Sequence, residues 1–188
     1  MNLDRPRDFA ALILALSIFT APLAGAYTPI SVQVERVADQ AYVVEAAFDL
    51  DAPSHIVWEV LTDYEGIGRF VSSIRQSTVK QREPGRVLIE QHGVGRAWIF
   101  SMPMHVVLDV REHDQRLLAF RDTCGKSFTS YEGAWGLASA GTGTRVTYHL
   151  KAAPTGGQPA ALTRAAMRGN VKRLLEEVRN EILARAAR

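Results

Sequence analysis

A single cysteine, Cys124, stands in the 188 residues, so no disulfide can form within one chain. Charge of one sign is not in excess either: 22 Lys and Arg face 20 Asp and Glu, leaving a net charge of +2. That balance excludes attraction to nucleic acid through bulk charge, although a local basic patch remains open. No internal repeat or low-complexity tract is present, and beyond the first 26 residues no apolar run is long enough to cross a bilayer. Several catalytic signatures are missing: there is no P-loop, no Gly-x-Gly-x-x-Gly and no Gly-x-Ser-x-Gly. His55, His92, His105, His113 and His149 show no His-x-x-x-His spacing, and no Cys-x-x-Cys accompanies them. No metal site is therefore read, and no cofactor is expected. What remains is 47% apolar and 22% charged, the composition of a globular domain large enough to bury a core without cross-links.

The first 26 residues read as a secretory signal peptide. Arg5 and Arg7 are offset by Asp4 and Asp8. An apolar run from Ala10 to Phe19 follows, broken only by Ser17, and Ala24-Gly-Ala26 supplies the small-residue pattern before Tyr27. Cleavage after Ala26 would leave an exported chain, periplasmic or secreted. The alternative is a retained anchor: Phe9–Ala26 carries no charge over 18 residues, near the lower limit for a span, and Pro22 interrupts it. No cysteine near residue 27 suggests a lipoprotein. The mature chain, 27–188, reads as one domain with one late linker, Ala153–Pro159.

The periodicity of the mature chain changes twice. Tyr42, Val44, Ala46, Phe48 and Leu50 alternate with Val43, Glu45, Ala47 and Asp49, a strand with one buried face. Val32–Val37 extends it or pairs with it across Ala38–Gln40. Pro53 then suits a first helical turn, and Ile56, Val57, Val60 and Leu61 follow at helical spacing. Asp63–Phe70 reads as a second short helix or turn, closed by Gly66 and Gly68. From Ser72 to Ala152 strand patterns succeed one another. They are punctuated at Glu83-Pro-Gly85, His113-Asp-Gln115, Cys124-Gly-Lys126 and Ala140-Gly-Thr-Gly143. Gly93-Val-Gly95 lies inside one of these patterns and suits a bulge or bend. The expected result is a curved antiparallel sheet of about six or seven strands.

Ala160–Ala187 turns helical. Val171, Leu174, Leu175, Val178 and Ile182 form an apolar stripe, while Arg164, Arg168, Lys172, Arg173 and Arg179 dominate the other faces. Such a stripe must be buried, and the sheet's apolar face is the available partner. One helix cannot fill the concave side of a strongly curved sheet. Either large side chains fill the rest or a cavity remains. The basic flank is either a solvated helix face or a contact for an anionic membrane surface.

The stretch Phe48-Asp-Leu-Asp-Ala-Pro-Ser-His-Ile-Val-Trp58-Glu-Val-Leu-Thr-Asp-Tyr64 resembles the opening of START-like (SRPBCC) proteins. It is similar more narrowly to their polyketide cyclase/dehydrase and coenzyme Q-binding branch. Tyr131-Glu-Gly-Ala-Trp135, Gly143-Thr-Arg-Val-Thr-Tyr148 and the closing long helix agree with it. The resemblance covers roughly Tyr42 to Arg185. It implies an α+β helix-grip fold: a curved antiparallel sheet around a long C-terminal helix, two short helices after the first strand, and a cavity for an apolar ligand. Members include lipid and quinone binders, aromatase/cyclases and partners of larger complexes, so the resemblance does not choose the activity.

Catalytic groups are hard to assign. Cys124 lies in a hairpin-turn pattern, Asp-Thr-Cys-Gly-Lys, with no assignable base. Asp63 is explained by turn chemistry, and Asp122 stands either on the inner phase or at the exposed turn. Glu132 takes the phase opposite Tyr131. His105 and His149 fall on polar strand phases and His55 on a first helical turn; His92 faces either outward or into the cavity. No catalytic residue is named.

The aromatics say more. Tyr131 and Trp135 share a phase with Gly133 between them, and Tyr148 takes the inner phase of the last strand. Tyr64 and Phe70 flank Gly66 and Gly68 beside an expected cavity mouth. Met102 and Met104 suit a cavity of adaptable shape. Tyr64, Phe70, Met104, Tyr131, Trp135 and Tyr148 are the candidate ligand-binding residues, with plain core packing as the alternative; Trp58 is read as core. Arg96 is a candidate anchor for an anionic ligand group, with solvent exposure as its alternative. Three functions follow. The first is an exported binder or carrier of an apolar small molecule of the lipid, isoprenoid or quinone class. The second is a cyclase or dehydratase, which needs an inward acid–base group. The third is an interaction module with a closed core. No nucleic-acid partner is expected.

Overall fold

The computed structural model describes residues 29–97, 100–155 and 159–188. Residues 1–28, where the expected signal peptide falls, residues 98–99 and the middle of the linker, 156–158, lie outside the described residues, as does the side chain of Arg96.

Among the described residues eight strands form one antiparallel sheet. They are β1 (Ser31–Arg36), β2 (Tyr42–Leu50), β3 (Ile74–Glu83), β4 (Arg86–Ala97), β5 (Phe100–His113), β6 (Leu117–Asp122), β7 (Phe128–Ala140) and β8 (Gly143–Pro154). Their order is β1-β2-β8-β7-β6-β5-β4-β3. Helix α1 (Ser54–Leu61) and a 3₁₀ turn, Ile67–Arg69, follow β2, and the long helix α2 (Ala160–Ala186) closes the chain. This is the expected α+β helix-grip arrangement, with one more strand than expected. The addition is β1, which pairs with β2 across a tight turn rather than extending it. Asp39 and Gln40 both have positive φ, 58° and 57°, and the Ala41 amide donates to the Ala38 carbonyl at 3.2 Å. Positive φ at both central residues is the two-residue hairpin geometry whose twist matches that of the strands. Without a glycine, the sequence does not advertise it.

The alternation in β2 is realised in full: Tyr42, Val44, Ala46, Phe48 and Leu50 are buried. β8 repeats the pattern opposite, with Val146, Tyr148, Leu150 and Ala152 buried. Bulges interrupt β3 between Ile74 and Gln76 and between Val79 and Gln81, and β7 between Phe128 and Ser130. Each adds local twist and bend. α2 lies against β1, β2, β4 and α1. Val171, Leu175, Val178 and Ile182 are buried there. Leu174, expected in the same buried stripe, is only half-buried. It turns toward a space that the sheet encloses and the helix does not fill.

Candidate functional site

That space is a cavity of about 400 Å³ between the inner sheet face and α2, within the range of small-molecule sites. Its wall is built by strand alternation. Tyr131 and Trp135 stand on the inner phase of β7, and Trp135 pairs directly with Tyr148 of β8. Gly133, between them, is the cross-strand partner of Phe120. A β-carbon at residue 133 would strike the Phe120 ring and the His149 carbonyl. The glycine therefore lets Phe120 lie across β7, and a continuous aromatic band results. Ring centroids are 4.6 Å apart for Phe128–Tyr131, 5.8 Å for Phe120–Tyr131, 6.3 Å for Phe120–Tyr148 and 4.5 Å for Trp135–Tyr148. Such offset and tilted contacts are favourable ring geometries.

Two hydroxyls interrupt this apolar wall. Those of Tyr131 and Tyr148 interact with each other. Burial pushes the Tyr131 hydroxyl up, against the hydrogen bond to Tyr148 and with the Asp122 charge. Burial also pushes Tyr148 well above the ordinary tyrosine range, and Tyr131 adds to the effect. Both are therefore neutral near pH 7 and present hydrogen-bonding O–H groups rather than phenolates. Gln91, 7% exposed, adds an amide to the wall; its Nε2 donates to Ser77 Oγ at 3.2 Å.

One end of the cavity is closed. Tyr64 is 5% exposed and lines the space, and its hydroxyl donates to Glu112 Oε1 at 2.6 Å. Arg82 lies over its ring, 5.6 Å from the centroid. Burial and then the Glu112 carboxylate raise the Tyr64 hydroxyl far above its ordinary value. Asp63 ties this end to the last turn of α2. It accepts from Arg185 Nη2 at 2.7 Å, Arg69 Nη2 at 3.1 Å and the Gly66 amide at 3.0 Å. Burial works against its charge, but Arg185, Arg69 and that amide together hold Asp63 below the usual carboxylate value. The exposed lining residues, among them Arg36, Gln40, Met102, Lys126 and Thr155, gather at the other end, beside the start of α2. The mouth expected beside Tyr64 and Phe70 is thus displaced to the N-terminal end of the helix.

Of the six candidate residues, Tyr64, Met104, Tyr131, Trp135 and Tyr148 line this one cavity. Phe70 is not among the lining residues; it packs beneath the Arg185 guanidinium, 5.7 Å from ring centroid to Cζ. Met102 lines the rim and is 41% exposed. Tyr42, Phe128, Gln91, Met167 and Asn170 also line the space without having been singled out. For Tyr42 the signal existed, since it begins the buried phase of β2; its hydroxyl donates to the Ala160 carbonyl at 3.3 Å. For Gln91, Met167 and Asn170 no local pattern marks them.

The remaining candidates have structural roles. Asp122 accepts from the amides of Val107, Cys124 and Gly125 at 2.8–3.1 Å. Burial opposes its ionisation, but those amides lower it, and it stays a carboxylate that holds a turn. The Cys124 thiol donates to the His105 carbonyl at 3.7 Å. Glu132 pairs with Arg121 on the outer face at 3.2 Å.

The profile of the family described as polyketide cyclase/dehydrase and lipid transport matches residues 42–188. No curated protein matches the chain. Among solved structures, a Thermus thermophilus protein is 23% identical with a TM-score of 0.67, covering 77% of this chain and 99% of that one. A STAR-related lipid transfer protein from Xanthomonas axonopodis is 16% identical with a TM-score of 0.63, covering 84% and 98%. The Zhui aromatase/cyclase from a Streptomyces species is 17% identical with a TM-score of 0.61, covering 79% and 94%. At these identities the likeness shows the fold alone.

Proposed function

The chain belongs to the polyketide cyclase/dehydrase and lipid transport family, and on that premise we propose that it is an exported binder or carrier of an apolar small molecule of the lipid, isoprenoid or quinone class. The observation that carries this reading is the lining of the cavity. It is a largely aromatic and aliphatic wall that carries the neutral Tyr131 and Tyr148 hydroxyls and the side-chain amides of Gln91 and Asn170, with Arg36 and Lys126 at its exposed end. Among the described residues it contains no carboxylate and no histidine. Such a wall offers neither of the commonest general bases, a histidine or a carboxylate. An apolar ligand gains there by burial, at roughly 25 cal/mol per Å² before the cost of association. The hydroxyls orient a ligand with one or two polar atoms more than they hold it. The open cavity also leaves unmet the condition for a closed-core interaction module.

The mouth supports delivery at a membrane. Leu162 is 46% exposed in the first turn of α2, and Met102 is exposed on the opposite rim. Arg164, Arg168, Lys172 and Arg173 are exposed along the same helix. Apolar tips within a basic surround suit transient contact with an anionic bilayer. Ala24-Gly-Ala26 supports export, and the intact mass of the secreted product should begin at Tyr27. A membrane-retained product beginning at Met1 would favour the anchor.

Titration of the mature protein with fluorescent fatty-acid and quinone analogues tests the binding reading. Saturable binding is expected. Tyr131→Phe and Tyr148→Phe should weaken it modestly, and Tyr148→Trp, which crowds the cavity, should weaken it more. A broad apolar panel with no member binding at micromolar concentration would sink it. The paired tyrosine hydroxyls favour a second reading, cyclisation or dehydration of a polyketide or aromatic substrate with Tyr131 as acid. Turnover that Tyr131→Phe abolishes while binding persists would establish that reading instead.

A further inference from the structure

The outer face of the β4–β5 ladder carries a cluster that the cavity does not use. His92 and His105 are direct cross-strand partners. Glu90 shares their face, because side chains two apart on a strand point the same way. The two imidazole rings lie over one another, with centroids 4.2 Å apart and planes at 28°. Glu90 Oε1 stands 2.9 Å from His105 Nε2 and 3.6 Å from His92 Nε2. Three donor atoms therefore converge, all within 4.8 Å of one another. Ligand atoms held tetrahedrally at zinc distances of about 2.0–2.1 Å stand about 3.4 Å apart. The two O···N separations already bracket that value. Lys80 Nζ holds the other carboxylate oxygen, Oε2, at 3.2 Å, which leaves Oε1 aimed at the histidines.

We propose that Glu90, His92 and His105 form a binding site for a divalent transition-metal ion of the zinc class on the outer face of the sheet. Two imidazole nitrogens and one carboxylate oxygen suit zinc, nickel or copper. Magnesium and calcium, which take six or more oxygens, are disfavoured. The His92 side chain is 47% exposed, so an ion can reach the donors and the remaining coordination positions face water. Lys80 is both an aid and a cost. It orients the carboxylate, but its positive charge opposes the incoming cation. A bound ion would clamp β4 to β5 one residue from Met104, whose side chain lines the cavity. Sequence spacing hides the site because its members meet only through strand pairing. The proposal stands independently of what the cavity binds.

The test is a zinc titration of the mature chain, 27–188, without a polyhistidine tag, in competition with a chromophoric chelator. One ion per chain is expected, with excess magnesium failing to displace it. His92→Ala and His105→Ala should each weaken binding by more than about tenfold, and Glu90→Gln should weaken it less. Cys124→Ser and His149→Ala should leave it unchanged. If a variant at Glu90 or His105 fails to fold, the exposed His92→Gln and the ring-proton NMR shifts of the wild-type histidines on adding zinc carry the same test. Only His92 and His105 should shift. The absence of saturable zinc binding, binding that survives both histidine variants, or shifts centred on other histidines would overturn the proposal.

Discussion

From Val171 to Ile182, α2 buries four side chains, whereas from Ala160 to Asn170 it buries none. The two halves belong to one continuous helix, yet they are held differently. The C-terminal half packs on the sheet and α1. Glu177 Oε2 accepts the Ser72 amide at 3.0 Å, and Arg185 bridges Asp63 and Glu181. The N-terminal half is tied by the Tyr42 hydroxyl at Ala160 and by its contact with the cavity rim. Local stability follows buried apolar contact. The closed end of the cavity is thus its anchored end, and the mouth is bounded by the segment that can yield at least cost.

Core truncation should break this contrast most strongly. Leu175 is fully buried, so Leu175→Ala should destabilise the protein by roughly 2–5 kcal/mol. Leu162→Ala in the exposed half should stay within about 0.5 kcal/mol. Chemical denaturation of both variants measures the difference, and equal losses would refute the gradient. The Asp63–Arg185 pair comes next, with side chains 23% and 22% exposed. Asp63→Asn should cost about 1 kcal/mol at neutral pH. Because the folded state holds Asp63 below the ordinary carboxylate value, its contribution is complete above the unfolded value of about 3.9 and fades as pH falls through the lower folded value. Stability curves of wild type and Asp63→Asn should therefore converge below about pH 4. The smallest effect sharpens the contrast from the other side. Gly169 lies in the yielding half, exposed, and an added β-carbon meets nothing within 4 Å. Gly169→Ala should stabilise by up to about 1 kcal/mol, and slower ligand exchange in this variant would tie helix stiffness to the mouth.

The parts of the fold that rest on periodicity were legible in the sequence. The β2 and β8 alternations and the α2 stripe each placed their buried residues, apart from Leu174 at the cavity. Turn chemistry was legible at Pro84-Gly85 and Gly141; across Ala38–Gln40 the sequence left a hairpin and a continued strand both open, because Asp39 and Gln40 adopt positive φ without a glycine to mark it. Tyr131, Trp135 and Tyr148 could be brought together because strand phase fixes their face. Phe70 was misplaced because the 3₁₀ turn that follows Tyr64 sends it toward α2's last turn, a tertiary contact with no local signature. Gln91 and Asn170 escaped notice for a related reason. A polar residue on an inner phase is recognisable only once the face has been found to border a cavity rather than solid core. The Glu90–His92–His105 cluster required the β4–β5 register.

The bulges in β3 have a consequence beyond shaping the sheet. Among the described residues β3 is a margin of the sheet, with no neighbouring strand on one side of its backbone, and such a margin invites another chain to add itself. Here the two bulges at Ile74/Gln76 and Val79/Gln81 break the regular row of amides and carbonyls. Arg75, Lys80, Arg82 and Glu83 are exposed along the same strand. An incoming strand would find its hydrogen-bonding partners out of step and would have to desolvate several charges. The irregularities that bend the sheet around α2 therefore also guard this margin against aggregation, which matters most for a chain whose opposite, concave face must stay apolar.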